Sequence, residues 1–404
     1  MSWRRFRLDW LATEERHPVN PAEMSADLVY HYSIPALDEF GDGCLEAPSE
    51  IGSGKLLLSG GEVLISKLNP RLPRVLLAEA HDVPTLASTE FIALRPGPNV
   101  DERFLRYWFG SEQLRQMLNG ATMSVTRSQQ RVRPEILTKS WLRLPSINEQ
   151  RAIADYLDRE TAQIDGLIEK KQRVAELCEE HFWSEVDHLT TPDGCETVAL
   201  RHYVEDACDG PFGSALKSEH YSEAGARVVR LGNIGRASWN DGDVARIPLP
   251  YWNTLSRHHA GKSDVVVAGL GDDGHPVGRA CVLPDLGPTL VKADCYRLRL
   301  RTEVVDSKYL AFYLCSPKGL GTAAMLADGA TRPRLTLGKA MSLAVPLLPI
   351  DQQRLVASSL AHRLTSFQRL DDLLAHQIAL LQERRQALIT AAVTGELEIP
   401  EVAA

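Results

Sequence analysis

One stretch of this chain occurs twice. Ile147-Asn148-Glu149-Gln150-Arg151, followed by Ile153 and Leu157, returns as Ile350-Asp351-Gln352-Gln353-Arg354, followed by Val356 and Leu360, 203 residues later in a chain of 404. Solenoid repeats recur every ~20–50 residues, so an offset this long marks a duplicated domain with its helix, not a stacked array. The correspondence extends upstream. Ser88-Thr89-Glu90-Phe91-Ile92-Ala93-Leu94 aligns with Lys292-Ala293-Asp294-Cys295-Tyr296-Arg297-Leu298, Asp101 and Phe104 with Asp306 and Tyr309, and Gly120-Ala121-Thr122 with Gly329-Ala330-Thr331. A chain built as two similar halves is suited to two similar targets, or to one target with two half-sites.

Four segments follow: 1–147, 148–190, 191–349 and 350–404. In the first, short apolar runs such as Leu56-Leu57-Leu58, Val63-Leu64-Ile65, Val75-Leu76-Leu77 and Phe91–Leu94 alternate with Gly, Pro and Asn, and Phe104–Leu118 has helical character. That pattern predicts strands and turns with one helix. The third repeats it, with strand candidates at Arg227–Leu231, Asp264–Ala268, Arg279–Leu283 and Cys295–Leu300 and a helix from Ser307. The fold class is α+β for both copies. Segments 148–190 and 350–404 are rich in Ala, Leu, Gln, Glu and Arg, all good helix formers. Leu360, Leu364, Phe367, Leu374, Ile378, Leu381 and Leu388 in one, and Leu157, Ile164, Ile168, Ala175, Cys178 and Phe182 in the other, follow a coiled-coil spacing. Two such helices bury their seams best against each other, as an antiparallel coiled coil that relates the two globular domains by a pseudo-twofold. Asn148 and Asp351 are the expected N-caps, and Gly395 the stop.

Composition narrows the function classes. The formal net charge is −8, yet it is unevenly spread. Segment 148–190 holds 11 acidic against 5 basic residues, whereas each large segment is near neutral and rich in arginine. Each globular domain can therefore present a local basic face. The seven cysteines form no CxxC pair, which argues against a zinc site or a disulfide framework and fits a reducing cytoplasm. No apolar run approaches the ~20 residues of a membrane span. The start, Met1-Ser2-Trp3-Arg4-Arg5-Phe6, lacks the apolar core of a secretion signal.

Catalytic motifs are missing. Gly52-Ser53-Gly54-Lys55 lacks the glycine and the hydroxyl residue that a phosphate loop needs at Ser49 and Leu56. Adenine methyltransferases carry an Asn/Asp-Pro-Pro-aromatic loop, and Asn69-Pro70-Arg71 lacks its second half. There is no GxSxG elbow or HExxH helix, and His258-His259 reads as a surface pair.

The remaining clusters suit recognition of DNA. Lys67, Asn69, Arg71 and Arg74 follow a strand. Arg127, Gln129, Gln130 and Arg131 stand in the loop before the first long helix, and Arg332 and Arg334 before the second. Phe212, Ser214 and Lys217 surround the Gly210-Pro211 turn, and Arg230 and Asn233 follow another strand. Arginine bridges guanine and Asn or Gln bridges adenine in the major groove. Lysine and arginine also neutralise phosphates without reading sequence.

With these motifs in this order, the chain resembles the specificity subunit of type I restriction–modification systems. The carriers are His31-Tyr32-Ser33-Ile34-Pro35-Ala36, Ser66–Arg71, Gly210-Pro211-Phe212-Gly213-Ser214, Gly329-Ala330-Thr331-Arg332 and the Glu149-Gln150-Arg151 and Gln353-Arg354 helix starts. The resemblance covers nearly the full chain. It implies two target recognition domains, each reading one half of a bipartite DNA site, with Tyr32 and Ser33 joining the contact residues above. The helices, each about 60 Å at ~1.5 Å per residue, would set the spacer. Gln150, Arg151, Gln353 and Arg354 would bind partner protein, and the acidic 148–190 helix would serve as a protein-binding surface. The resemblance further implies no catalysis by this chain. It implies two modification (methyltransferase) subunits that use S-adenosylmethionine on flipped adenine, and restriction subunits that use ATP and Mg. Two other readings remain open: a stand-alone DNA methyltransferase or nuclease, and a coiled-coil adaptor without DNA binding. The first loop departs from the second, because Met123–Arg127 intervene between Thr122 and the glutamines, so its arginine register is open to a shift of about four residues.

Overall fold

Strands form at the short apolar runs of the sequence. The computed structural model describes residues 3–70, 72, 74–121, 130–329, 331–346 and 348–399. It divides into two compact units, Met1–Lys171 with Ala375–Ala404, and Gln172–Leu374.

In the first unit Phe91–Pro96 pairs antiparallel with Val63–Ser66 and with Ala12–Glu14, and Val63–Ser66 pairs on its other side with Val75–Leu77. Val63, Leu64 and Ile65 are all buried, as expected of a strand covered on both faces. A five-stranded sheet lies beside it, ordered Pro18–Val19, Lys55–Leu58, Thr85–Ser88, Val29–Tyr32, Cys44–Glu46. Its parallel pairing joins Val29–Tyr32 to Thr85–Ser88.

The second unit repeats the plan. Cys295–Leu300 pairs antiparallel with Val204–Cys208 and Val265–Ala268, and Val265–Ala268 with Ala280–Val282. Its other sheet has four strands, and again one parallel pairing, here between Ala226–Val229 and Thr289–Val291. Both units carry a two-stranded antiparallel ribbon leading into a long helix, Arg4–Arg7 with Trp141–Leu144 and Thr197–Ala199 with Ala344–Pro346.

The long helices run Ile147–Thr190 and Ile350–Thr394. Each supplies core residues to both units. Ile153, Leu157, Ile389 and Val393 pack with Phe104, Leu105 and Trp108 in the first. Phe182, Val186, Leu360 and Leu364 pack with Tyr296, Leu310 and Phe312 in the second. Within each unit the two helices run antiparallel, as expected. In the first, Asp165 meets Arg385 at 2.8 Å and Lys171 meets Gln377 at 2.6 Å. In the second, Phe182 stacks on Phe367 with ring centroids 5.4 Å apart, and Glu185 pairs with Arg363. Ile168, Ala175, Cys178, Ile378 and Leu381 are only half-buried. Thr161 fills a buried seam position by donating its hydroxyl to the Leu157 carbonyl at 2.7 Å.

Two local expectations need correction. The first long helix starts at Ile147, and Ser146 caps it: the Ser146 N–H donates to Glu149 Oε2 at 2.7 Å, and Glu149 N–H donates to Ser146 Oγ at 3.4 Å. This reciprocal pair satisfies two backbone donors at once, so Asn148 lies inside the first turn. Asp351 likewise lies inside its helix, 3.6 Å from Arg354. The expected single helix Phe104–Leu118 is two, Glu102–Phe109 and Glu112–Gly120, because Ser111 caps the second by accepting from Leu114 N–H at 3.4 Å.

Candidate nucleic-acid interface

In each unit, the loop before the long helix is pinned to the end of a central sheet strand. In the first, Lys67 donates its N–H to Glu90 O at 2.8 Å and accepts from Val132 N–H at 3.0 Å, and Asn69 N–H donates to Gln130 O at 2.8 Å. In the second, Gly269 N–H donates to Asp294 O at 2.8 Å, Leu335 N–H to Gly269 O at 2.9 Å, and Gly271 N–H to Pro333 O at 2.9 Å. Leu68 bridges Arg131, and Leu270 bridges Arg334. The backbone scaffold is therefore duplicated bond for bond.

The arginines it holds are duplicated too. Arg131 donates from Nε and Nη2 to the two Glu90 oxygens at 3.1 and 2.8 Å. Arg334 Nη2 lies 2.8 Å from Asp294 Oδ1. The two arginine side chains remain 61% and 48% exposed. Beneath Arg334, the half-exposed Phe212 ring has its centroid 5.9 Å from the guanidinium carbon. The Asp209 carboxylate accepts from Gly210 N–H at 2.7 Å and Asp294 N–H at 2.9 Å. Burial pushes its carboxyl up to about 6. Gly210 is required there, since a Cβ would stand 2.0 Å from the Lys292 carbonyl carbon. The register shift left open for the first loop is resolved: Arg131, not Arg127, is the counterpart of Arg334.

The other expected contacts separate into three groups. Lys67, Asn69 and Gln130 are half-exposed, and Lys217 and Arg332 exposed, beside these loops. Asn69 adopts a left-handed φ of +49°. Arg71, Arg127, Gln129 and the Ser214 side chain lie outside the described residues. The third group, against expectation, is taken up by the fold. Tyr32 is 1% exposed, in a core with Leu64 and Phe91, and its hydroxyl accepts from Glu79 N–H at 3.0 Å. Ser33 caps the helix Ile34–Phe40, accepting from Ala36 N–H at 3.1 Å. Arg74 makes a two-point pair with Asp38 at 2.6 and 2.7 Å, which holds the Asp38 carboxyl below the usual carboxylate range. Asn233 is fully buried, accepting from Arg230 N–H at 2.9 Å and donating to the Asn240 and Asp243 carbonyls. Arg230 itself pairs with Asp243.

The glutamines expected to bind a partner are likewise taken up by the fold. Gln150 and Gln353 are both fully buried. Gln150 Oε1 accepts from Asp101 N–H at 2.9 Å, while Nε2 donates to Asn99 O at 3.1 Å and Pro145 O at 3.0 Å. Gln353 accepts from Asp306 N–H at 2.9 Å and donates to Val304 O at 3.0 Å and Leu348 O at 2.7 Å. Each glutamine thus clasps the start of its long helix to the helix that Asp101 or Asp306 caps. Arg151 and Arg354 are exposed. Part of the acid on the first long helix is internally neutralised: Asp155 and Asp158 pair with Arg103 at 2.8 Å, and Glu179 with Arg236 at 2.9 Å.

Sequence reasoning overlooked Glu90 and Asp294. The signal was present: acids 204 residues apart matched to arginines 203 apart.

No protein-family model and no curated protein matches the chain. A solved chain from work on complex assembly and conformational transition of the type I R-M system superposes with a TM-score of 0.74, at 18% identity, over 98% of both chains. The chain has that protein's fold. The HsdS subunit from Thermoanaerobacter tengcongensis aligns over 98% of this chain and 97% of its own, at 18% identity with a TM-score of 0.48. The type I restriction–modification S subunit from M. genitalium aligns over 97% and 96%, at 14% identity with a TM-score of 0.40. The expected architecture, two similar α+β units and two long antiparallel helices, stands. No described helix is long and apolar enough to cross a membrane.

Proposed function

We propose that this chain is the DNA-recognition subunit of a type I restriction–modification complex, each globular unit reading one half of a bipartite site. The observation that carries the reading is the duplicated arginine loop, presented by the same strand end in both units of a type I system fold. Its exposed arginine side chains suit acceptors on the base edges of a DNA site with two halves. The chain contributes no catalytic group; chemistry belongs to its partners. Two modification subunits would supply S-adenosylmethionine-dependent adenine methylation, and restriction subunits ATP- and Mg-dependent cleavage, in the cytoplasm.

Support for protein partners comes from the long helices. Leu167, Val174 and Leu177 on the first are 48%, 45% and 46% exposed, and Leu370, Leu373 and Leu380 on the second are 39%, 52% and 50% exposed. Leu167 and Leu370, like Leu177 and Leu380, are 203 residues apart. Apolar residues at the same register of two copies suit two copies of one partner.

Adenine-methylation mapping of the host genome, with the gene intact and deleted, tests the proposal. Loss of one split motif with a fixed spacer is expected. An unchanged methylome, in a strain shown to express an active type I modification subunit, would refute it.

A further inference from the structure

The duplication serves as an internal comparison of the two recognition units. Around the pinned strand end, Lys67 in the first unit is replaced by Gly269 in the second, Asn69 by Gly271, and Gln130 by Pro333. Among the described charged side chains there, an arginine facing an acid recurs, as Arg131 with Glu90 and Arg334 with Asp294. A contact kept in both copies, while its neighbours differ, does the same task at both half-sites.

Charge decides which task. A phosphate contact works by net positive charge and counterion release. Here each guanidinium already faces a carboxylate, so the pair is close to neutral, and a phosphate would be drawn toward an anion. Orientation is what the carboxylate adds. Glu90 holds Nε and one edge of Nη2, which leaves Nη1 and the outer Nη2 hydrogen as a fixed, parallel fork. Two neutral acceptors on one base edge match that fork, and guanine O6 and N7 are the pair that the major groove offers. In the second unit Asp294 meets Arg334 at Nη2 alone, at 2.8 Å, and the Phe212 ring has its centroid 5.9 Å from the guanidinium carbon.

Resting on the DNA-recognition reading above, we propose that Arg131 and Arg334 each read a guanine, one in each half-site, and that Glu90 and Asp294 are positioning residues that aim them. The readout common to both halves is thus a G·C pair, and the differing neighbours supply what distinguishes one half-site from the other.

The test is adenine-methylation mapping in the native host carrying the full-length gene with single replacements. Wild type is expected to give a split motif with a G·C pair in each half. R131K keeps the charge and loses the fork. It is expected to make one position of one half degenerate, with discrimination there falling roughly 10- to 100-fold, every other position holding. R334K does the same in the other half. E90Q and D294N partially relax the same two positions, and in binding assays with the purified complex they steepen the salt dependence, because the arginine charge is no longer offset. The proposal is overturned if either half lacks a G·C pair. It is also overturned if R131A or R334A lowers methylation evenly with the motif unchanged while the lysine variants restore it, since that is the behaviour of a phosphate contact. A wild-type methylome identical to that of the gene deletion would instead remove the DNA-recognition reading itself.

Discussion

Replacing Gln150 by alanine separates architecture from assembly. Its side chain is fully buried and makes three hydrogen bonds, all to backbone groups. Each such bond contributes about 1 kcal/mol net, and an orphaned buried partner costs up to ~3 kcal/mol. Loss of all three therefore destabilises the clasp by about 3 kcal/mol or more, roughly a 100-fold change in the closed-to-open ratio. Glutamate is worse than alanine, because its carboxylate would face the Asn99 and Pro145 carbonyls in place of two donors.

A chain with two compact units need not unfold in one transition, so a global midpoint is the wrong readout. Amide hydrogen exchange of the isolated chain over residues 100–105 and 147–157 reports the clasp directly. Q150A should lower protection there by roughly 100-fold and leave residues 303–310 unaffected; Q353A should do the reverse. If Q150A exchanges like wild type and instead loses only partner binding, the glutamine is an interface residue and the reasoning from burial fails.

Two further outcomes follow from the corrected residues. Y32F removes the hydroxyl that accepts from Glu79 N–H; it should cost about 1 kcal/mol of stability in denaturant titration and leave the methylation motif unchanged. Asp209 has a carboxyl pushed up to about 6 from 3.8 by burial. The fold disfavours its charged form, so its contribution to stability falls as pH rises from 3.8 to about 6 and is flat on either side. D209N keeps an oxygen for the Gly210 and Asp294 N–H groups, so melting scans should show it above wild type at pH 7 and level with wild type below the lower limit. Equal offsets at both ends would refute the assignment.

Sequence periodicity located the strands buried on both faces, such as Val63–Ser66 or Val265–Ala268, because such a strand is almost continuously apolar, and missed half-exposed ones such as Arg4–Arg7 and Trp141–Leu144. The break at Gly110-Ser111 went unread because apolar spacing continues across it, while the cap is a single hydroxyl. Polar residues were harder still. Gln150, Asn233 and Tyr32 carry the side chains of a contact surface, and only tertiary structure shows that backbone groups consume their donors and acceptors. Arg74 reads like Arg131 along the sequence, yet its acid lies across the fold at Asp38 and leaves its side chain 12% exposed.

The duplication sharpens this division. The glutamine clasps, the aspartate caps at Asp101 and Asp306, and the arginine–acid pairs occur in both copies with the same partners. The Arg74–Asp38 and Arg230–Asp243 pairs and the Asn233 network are described in one copy each. Features shared by both copies fix how a unit is held on its helices and, under the proposed function, aim what is common to two targets. Features held by one copy shape a surface that differs between them. The asymmetric bipartite target proposed for the chain would call for that combination, because two identical units could only demand the same sequence twice.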